Sequence, residues 1–282
     1  MTGLLFDCLR AAGVDVAEVS PATGGLAATA GLARLADGTT LFVKAFDEPL
    51  TGAFETEAEG LAALRDHVAT PEVVLATPDL LVLSTLQPRP TTEDFWQQLA
   101  HALARLHTST EHPRFGWHRD NWLGRRQQVN TWNDNGYEFF AQNRLLRWLE
   151  EPRVREVVDA RALERLCDRL PELLPEKPAV LTHGDLWMQN AMATASGEPA
   201  LIDPAVSYTW AEVDLAHLWT TVPPPESAAF FDLYADLTSL DPGWRERMPI
   251  LQLRQHLAVI AQFDPDWGAA DIVRETLTPF AS

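Results

Sequence analysis

The chain has 282 residues, 46% of them hydrophobic, with 22 Lys and Arg against 40 Asp and Glu for a formal net charge of -18. That length and apolar content suffice for a sizeable core in one large domain or two lobes, while the acidic balance excludes a general binder of nucleic-acid backbones, which needs Lys and Arg to neutralise phosphates. The two cysteines, Cys8 and Cys167, share no CxxC or Cys/His spacing, which excludes a disulfide framework and a zinc site and fits a cytoplasmic protein.

Residues 1–15 carry Asp7 and Arg10 inside an apolar stretch and lack a basic start, so they predict an amphipathic helix rather than a secretion signal. No apolar run reaches the roughly 18 residues that a membrane span needs. From about residue 19 to 46, apolar and small residues alternate around Gly24-Gly25 and Asp37-Gly38, and Asp-Gly between two such runs signals a hairpin. Residues 54–65 set Phe54, Ala58, Leu61 and Leu64 at helical spacing. Residues 73–76 and 80–86 predict short strands around Thr77-Pro78-Asp79. Beyond Thr91 the period is helical over 95–107, 137–150 and 160–174, with loops rich in Trp, Asn and Pro between. Inside that half, residues 179–206 enclose polar residues between two short apolar runs, 179–181 and 200–202, and helices follow to the end. The expectation is an α+β protein with a β-rich N-terminal lobe, 1–87, and a mainly helical C-terminal lobe, 88–282.

The chemistry concentrates in Leu181-Thr182-His183-Gly184-Asp185-Leu186-Trp187-Met188-Gln189-Asn190 and in Leu201-Ile202-Asp203-Pro204. Phosphoryl transfer needs a carboxylate to accept or orient a hydroxyl proton, and oxygen ligands for a Mg²⁺ that neutralises the phosphates. Asp185, Asn190 and Asp203 supply that set. A lone His-Gly-Asp is commonly a turn, but HGDxxxxN followed by IDP has the layout of the kinase catalytic loop and of the metal-binding Asp that follows it. Lys44 ends an apolar strand run, where a kinase holds the lysine for the α- and β-phosphates, and the acidic helix after it offers a partner. Glu57 shares a helix face with Leu61 and Leu64, while Glu55 and Glu59 remain alternatives. Gly24 and Gly25 are either a phosphate-approaching turn or an ordinary hairpin turn.

At these residues the chain resembles the fructosamine kinase (ketosamine 3-kinase) family, relatives of the aminoglycoside phosphotransferases within the protein-kinase-like fold. The resemblance runs over nearly the whole chain. It includes HGDLW with Asn190, residues 115–124 (FGWHRDNWLG) against the family's FGxxxDNxxG, Asn130-Thr131-Trp132, Glu138-Phe139-Phe140 with Arg144, and Asp203-Pro204-Ala205 with Glu212 and Asp214. It implies a two-lobed ATP- and Mg²⁺-dependent enzyme acting on a ketosamine or related amine-bearing sugar. Asp185 would be the catalytic carboxylate, and Asn190 and Asp203 the metal ligands. Lys44, Glu57, Gly24, Gly25, Ser84 and Leu86 would line the nucleotide site, with adenine against residues 83–86, and Asp120, Asn121 and Trp187 would meet the acceptor. His183 would support the catalytic loop, and Glu212 and Asp214 would anchor the C-terminal lobe. Trp117, Trp122 and Trp132 fit core packing as well as a substrate face, and Asp120, Asn121 and Asn130 fit loop caps. One departure concerns the glycine turn: related chains usually continue with polar residues, and here Leu26-Ala27-Ala28-Thr29 follows. A kinase of another hydroxylated amine, such as choline or an aminoglycoside, and a pseudokinase binding module are the competing readings.

Overall fold

In the computed structural model, which describes residues 2–22, 28–220 and 224–281, the first helix, α1 (Thr2–Ala11), buries Leu5 and Leu9 one turn apart. Strands β1 (Val16–Pro21), β2 (Thr29–Leu35) and β3 (Thr40–Ala45) follow, then helix α2 (Ala53–Leu64) and strands β4 (Val73–Ala76) and β5 (Leu80–Ser84). The five strands make one antiparallel sheet in the order β1-β2-β3-β5-β4. Gly24, Gly25, Leu26 and Ala27 lie outside the described residues.

Strand side chains alternate between faces, and this decides where Lys44 goes. Leu41, Val43 and Ala45 of β3, with Leu80 and Val82 of β5, pack against Leu5 and Leu9 of α1. The alternate residues Phe42, Leu81 and Leu83 pack with Phe54 and Leu61 of α2. Lys44, between Val43 and Ala45, therefore leaves the sheet on the α2 side.

The remainder begins with α3 (Glu93–Ser109), whose first turn is capped by Thr92 accepting a hydrogen bond from the Phe95 amide. A small hairpin, β6 (Asn121–Leu123) and β7 (Arg126–Gln128), precedes α4 (Gly136–Phe140), α5 (Pro152–Val157), α6 (Ala160–Asp168) and α7 (Leu170–Leu173). Four short strands, β8 (Val180–Thr182), β9 (Ala191–Ala193), β10 (Pro199–Leu201) and β11 (Ser207–Thr209), then lead into α8 (Glu212–Thr220), α9 (Phe230–Thr238), α10 (Trp244–Gln262) and α11 (Ala269–Leu277). One large apolar core unites these helices. Among the described residues no helix is long and apolar enough to cross a membrane.

Two sequence expectations, both for helices, change in detail. The single helix expected over 137–150 is α4 followed by a π turn (Ala141–Leu145) and a 3₁₀ turn (Leu146–Glu150). The helix expected over 160–174 stops at Arg169, where φ -98° and ψ 2° end α6, and Pro171 lies at the start of α7. The apolar runs at 179–181 and 200–202 do not pair with each other: β8 pairs with β11 and β10 with β9, both antiparallel.

Several contacts join the sheet and α2 to the helical part, among them the hydrogen bond from the Leu201 amide to Ala69 O at 2.9 Å. Gln87 and Ala193 exchange backbone hydrogen bonds of 2.7 and 2.9 Å. Gly60 of α2 sits so close to Pro204 that an added Cβ would lie 3.0 Å from its Cγ.

Candidate active site

Strand β8 delivers His183, Gly184 and Asp185 to the junction of the two parts. Gly184 is required there: its φ is 79°, and an added Cβ would lie 2.1 Å from the Ala205 carbonyl oxygen. His183 is fully buried. Its Nδ1 accepts from the Asp185 amide at 3.2 Å, so its Nε2 carries the proton and donates to Ile202 O at 2.9 Å. Burial, ahead of the opposing pull of Asp214, lowers its pKa, consistent with a neutral ring. The residue thus ties the catalytic-type loop to the strand that precedes Asp203.

Asp214 holds the loop from behind. Its Oδ2 accepts the His183 amide at 2.7 Å and its Oδ1 the Gly184 amide at 2.9 Å. His107 Nε2 lies 3.3 Å from Oδ2 and its Nδ1 2.7 Å from Tyr234 Oη. Burial alone would raise the Asp214 pKa, but the hydrogen bonds and charges of His107, with His183 and the Gly184 amide, bring it below the ordinary carboxylate range. Glu212, the other acidic residue of that segment, forms a two-pronged ion pair with Arg247 of α10. A cavity of about 220 Å³ lies beside His107, Trp210, Glu212 and Tyr234. Its lining includes none of Lys44, Asp185, Asn190 or Asp203.

Asn190 Nδ2 donates to Asp185 O at 2.7 Å, and the Ile202 amide donates to Asn190 O at 3.1 Å, so Asn190 and Asp203 are neighbours. Asp203 adopts a left-handed backbone, φ 57°, uncommon for a residue with a side chain and typical of strain held at functional sites. Lys44 Nζ is bound on two sides, by Glu57 Oε1 at 2.7 Å and by Asp203 Oδ1. Burial opposes the Lys44 charge, yet Asp203 and then Glu57 raise its pKa, so it stays an ammonium. Burial raises the Glu57 pKa, and the Asp203 charge adds to that against the pull of Lys44. Of the three glutamates on α2, the structure pairs Glu57 with the lysine.

Asp185 is pushed up to about 7, mainly by burial, with Arg254 opposing and Asp203 and Asp214 adding. His217 Nδ1 lies 3.5 Å from its Oδ1. Burial and the Arg254 charge hold that imidazole well below its ordinary pKa. Neither His217 nor Arg254 was expected from the sequence. Beside Asp203, a cavity of about 80 Å³ is lined by Phe42, Leu83, Ser84, Leu86 and Ile202. Ser84 Oγ accepts from the Glu72 amide at 2.9 Å, so its hydroxyl also fastens β5 to the chain before β4. Trp187 is half-buried in the same loop as Asp185.

Residues 115–124 have a different setting from the one expected. Asn121 is buried: its Nδ2 donates to Val206 O at 2.8 Å and its Oδ1 accepts from Gln128 Nε2 at 2.9 Å. Gln128 also donates to Ala205 O at 3.0 Å. Asp120 Oδ1 accepts the Asn130 amide at 2.8 Å, a loop cap. His118 contacts Glu59, Arg119 Nη1 lies 3.7 Å from the same carboxylate, and Trp122 packs against the core under α2. This segment therefore braces α2 and the backbone after Asp203, and Asn121 is engaged inside the protein rather than presented to an acceptor. Asn121→Ala takes the side-chain donor from the Val206 carbonyl and one of the two acceptors from the buried Gln128 amide, so about 1–3 kcal/mol of stability should be lost. For a chain of this size that lowers the melting temperature by several degrees, which thermal unfolding followed by circular dichroism will read.

An antiparallel sheet with a buried Lys–Glu pair, set against a helical part that carries HGDxxxxN and IDP, defines a small-molecule kinase of the protein-kinase-like fold. The choline kinase of Streptococcus pneumoniae shares that fold, with a TM-score of 0.67 at 18% identity over 98% of both chains. The chain belongs to the fructosamine kinase family, whose model matches residues 9–278. An Enterococcus faecium protein assigned as a ketoamine kinase is 31% identical over 239 residues, 81% of this chain and 83% of that protein. A crystal structure from Thermobifida fusca, assigned as a fructosamine-3-kinase, superposes with a TM-score of 0.84 at 29% identity, covering 98% of this chain and 99% of that one.

Proposed function

We propose that this enzyme transfers the γ-phosphoryl group of ATP to a sugar hydroxyl of a ketosamine, as a fructosamine 3-kinase. The observation that carries the reading is the convergence of Lys44, Glu57 and Asp203 with the Asp185–Asn190 loop, in a chain of this family. ATP lies between residues 1–87 and 88–282, with its adenine in the small cavity lined by Phe42, Leu83, Ser84 and Leu86. Lys44 holds the α- and β-phosphates, and Glu57 fixes the direction of its ammonium.

Asn190 and Asp203 would hold Mg²⁺. Their amide and carboxylate oxygens are hard donors, and among the described residues no group of three or more His, Cys, Asp or Glu could hold a metal alone. A two-ligand site fits a Mg²⁺ that completes its shell with phosphate and water oxygens. When bound, the ion would neutralise phosphate charge. Asp185 accepts or orients the proton of the acceptor hydroxyl. Its burial favours this role, because a carboxylate with a pKa near 7 is a competent base near neutral pH. Trp187 offers a ring face to the sugar.

The test is ADP release from Mg·ATP with a ketosamine made from glucose and a simple amine, set beside choline and an aminoglycoside. Release with the ketosamine alone is expected. Release only with choline or the aminoglycoside reassigns the acceptor, and nucleotide binding without release for any of the three makes the chain a binding module.

A further inference from the structure

The described residues include three buried arginines, and two of them have evident structural work. Arg144 donates to Val129 O at 2.7 Å, Asn130 Oδ1 at 2.6 Å and Ser207 Oγ at 3.1 Å, and lies over the Phe139 ring. Arg247 is matched by Glu212 and also donates to Pro242 O at 3.0 Å. Arg254 is 3% exposed, yet among the described residues its only side-chain hydrogen bond runs from Nη2 to Gln128 Oε1. Among the described residues it has no carboxylate oxygen within 4.0 Å. A guanidinium has five N–H donors in a planar fork, and a buried cation without an anionic partner is costly. Among the described residues, most of the Arg254 fork therefore has no hydrogen-bond partner.

The surroundings of Arg254 say where that fork is useful. Of the charges acting on it, Asp185 and then Asp214 weigh most, and in turn Arg254 is the strongest charge acting on Asp185. Gln128, which accepts from Arg254, also donates to Ala205 O at 3.0 Å, and the Ala205 amide donates to His183 O at 2.9 Å, so the guanidinium is tied to the backbone beside the Asp185 loop. His217, on which the Arg254 charge also acts, is buried, and its Nδ1, which among the described residues has no hydrogen-bond partner, lies 3.5 Å from Asp185 Oδ1. A chain with net charge -18 repels anions at long range, so an anionic acceptor group would need a cation held locally.

Resting on the ketosamine kinase reading, we infer that Arg254 recognises a carboxylate on the acceptor, which makes the preferred substrate a ketosamine formed on the α-amino group of a free amino acid. In such a molecule the carboxylate is two bonds from the amine nitrogen, close enough for Asp185 to meet the sugar hydroxyl while Arg254 takes the carboxylate in a fork. A ketosamine on a protein lysine has no carboxylate near its amine. The γ-phosphoryl oxygens are the other source of an oxyanion, and the experiment separates the two.

Two acceptors are prepared from the same sugar, one with glycine and one with glycinamide, and both turnover and calorimetric binding are measured. A charge-assisted fork is worth at least a factor of ten, so the wild-type KM and Kd should be at least tenfold lower for the glycine compound. Arg254→Gln should reduce that preference to twofold or less, and Arg254→Lys should restore part of it. A wild type that does not distinguish the two acceptors overturns the inference. So does an Arg254→Gln enzyme whose kcat falls equally for both at an unchanged KM ratio, since the arginine then serves the phosphoryl group or Asp185. If neither acceptor is phosphorylated, the kinase reading fails by itself. Binding of the glycine compound, lost in Arg254→Gln, would then uphold the carboxylate site, and binding of neither compound would refute it.

Discussion

Asp185→Asn should lower kcat by a hundredfold or more while Mg·ATP affinity changes little, because general-base assistance contributes about 10² to 10⁴ and the substitution leaves Lys44, Asn190 and Asp203 in place. The hydrogen bond from Asn190 reaches the Asp185 main-chain oxygen and survives the change. Retention of more than about a tenth of wild-type turnover would rule out the base role. The same variant makes a second, opposite prediction on stability. Burial raises the Asp185 pKa to about 7 in the folded chain, above the unfolded value near 3.9. Between those two values the folded state binds more protons than the unfolded one, so stability falls as pH rises through that window and stays reduced above it. Asn carries no charge and is free of this cost. The melting temperature of Asp185→Asn, without metal, should therefore exceed that of the wild type at pH 8, with the gap closing toward pH 5. Equal melting temperatures at pH 8 would show that the carboxylate is ionised without penalty.

The legible parts of this chain are those where a short motif carries its own geometry. HGDxxxxN and IDP announced Asp185, Asn190 and Asp203 because a glycine, a carboxylate and an amide at that spacing suit a tight loop beside a strand. Lys44 and Glu57 were legible through periodicity: strand alternation sends Lys44 to the α2 side, and Glu57, Leu61 and Leu64 share a helical face. Where the outcome depends on distant partners, the sequence was silent or misleading. The β6–β7 hairpin, Asn121–Leu123 with Arg126–Gln128, has little apolar alternation, because its polar residues are buried by hydrogen bonds to Ala205 and Val206. Asn121 was a candidate for the acceptor because it is polar and sits in a motif, yet its amide bonds within the protein, while half-buried Asp120 uses one carboxylate oxygen to cap Asn130. Arg254 and His217 left one faint trace. Arg247 and Arg254 are seven residues apart on α10 and share its inward stripe with Leu251, so charged residues sit where a helix of this length would bury apolar ones.

Asp203→Asn should abolish Mg²⁺-dependent nucleotide binding, and Asn is the substitution that isolates the cause. Asp203 sits at φ 57°, a region that Asn tolerates far better than Ala does, so backbone strain is held nearly constant while the carboxylate is removed. Lys44 keeps its 2.7 Å bond to Glu57, so the lysine remains oriented. What is lost is the single carboxylate that a hard cation would find beside Asn190, and an amide oxygen binds Mg²⁺ much more weakly. Mg·ATP affinity measured by titration calorimetry should fall by about a hundredfold, which is roughly 3 kcal/mol. The residual affinity should equal that for ATP in the presence of a chelator. Because Asp203 also helps hold Lys44 in its charged form, Asp203→Ala should weaken metal-free ATP binding little beyond Asp203→Asn, as Glu57 alone still pairs the ammonium. Unchanged Mg·ATP affinity in both variants would remove Asp203 from the metal site, leaving its contact with Lys44 as its contribution.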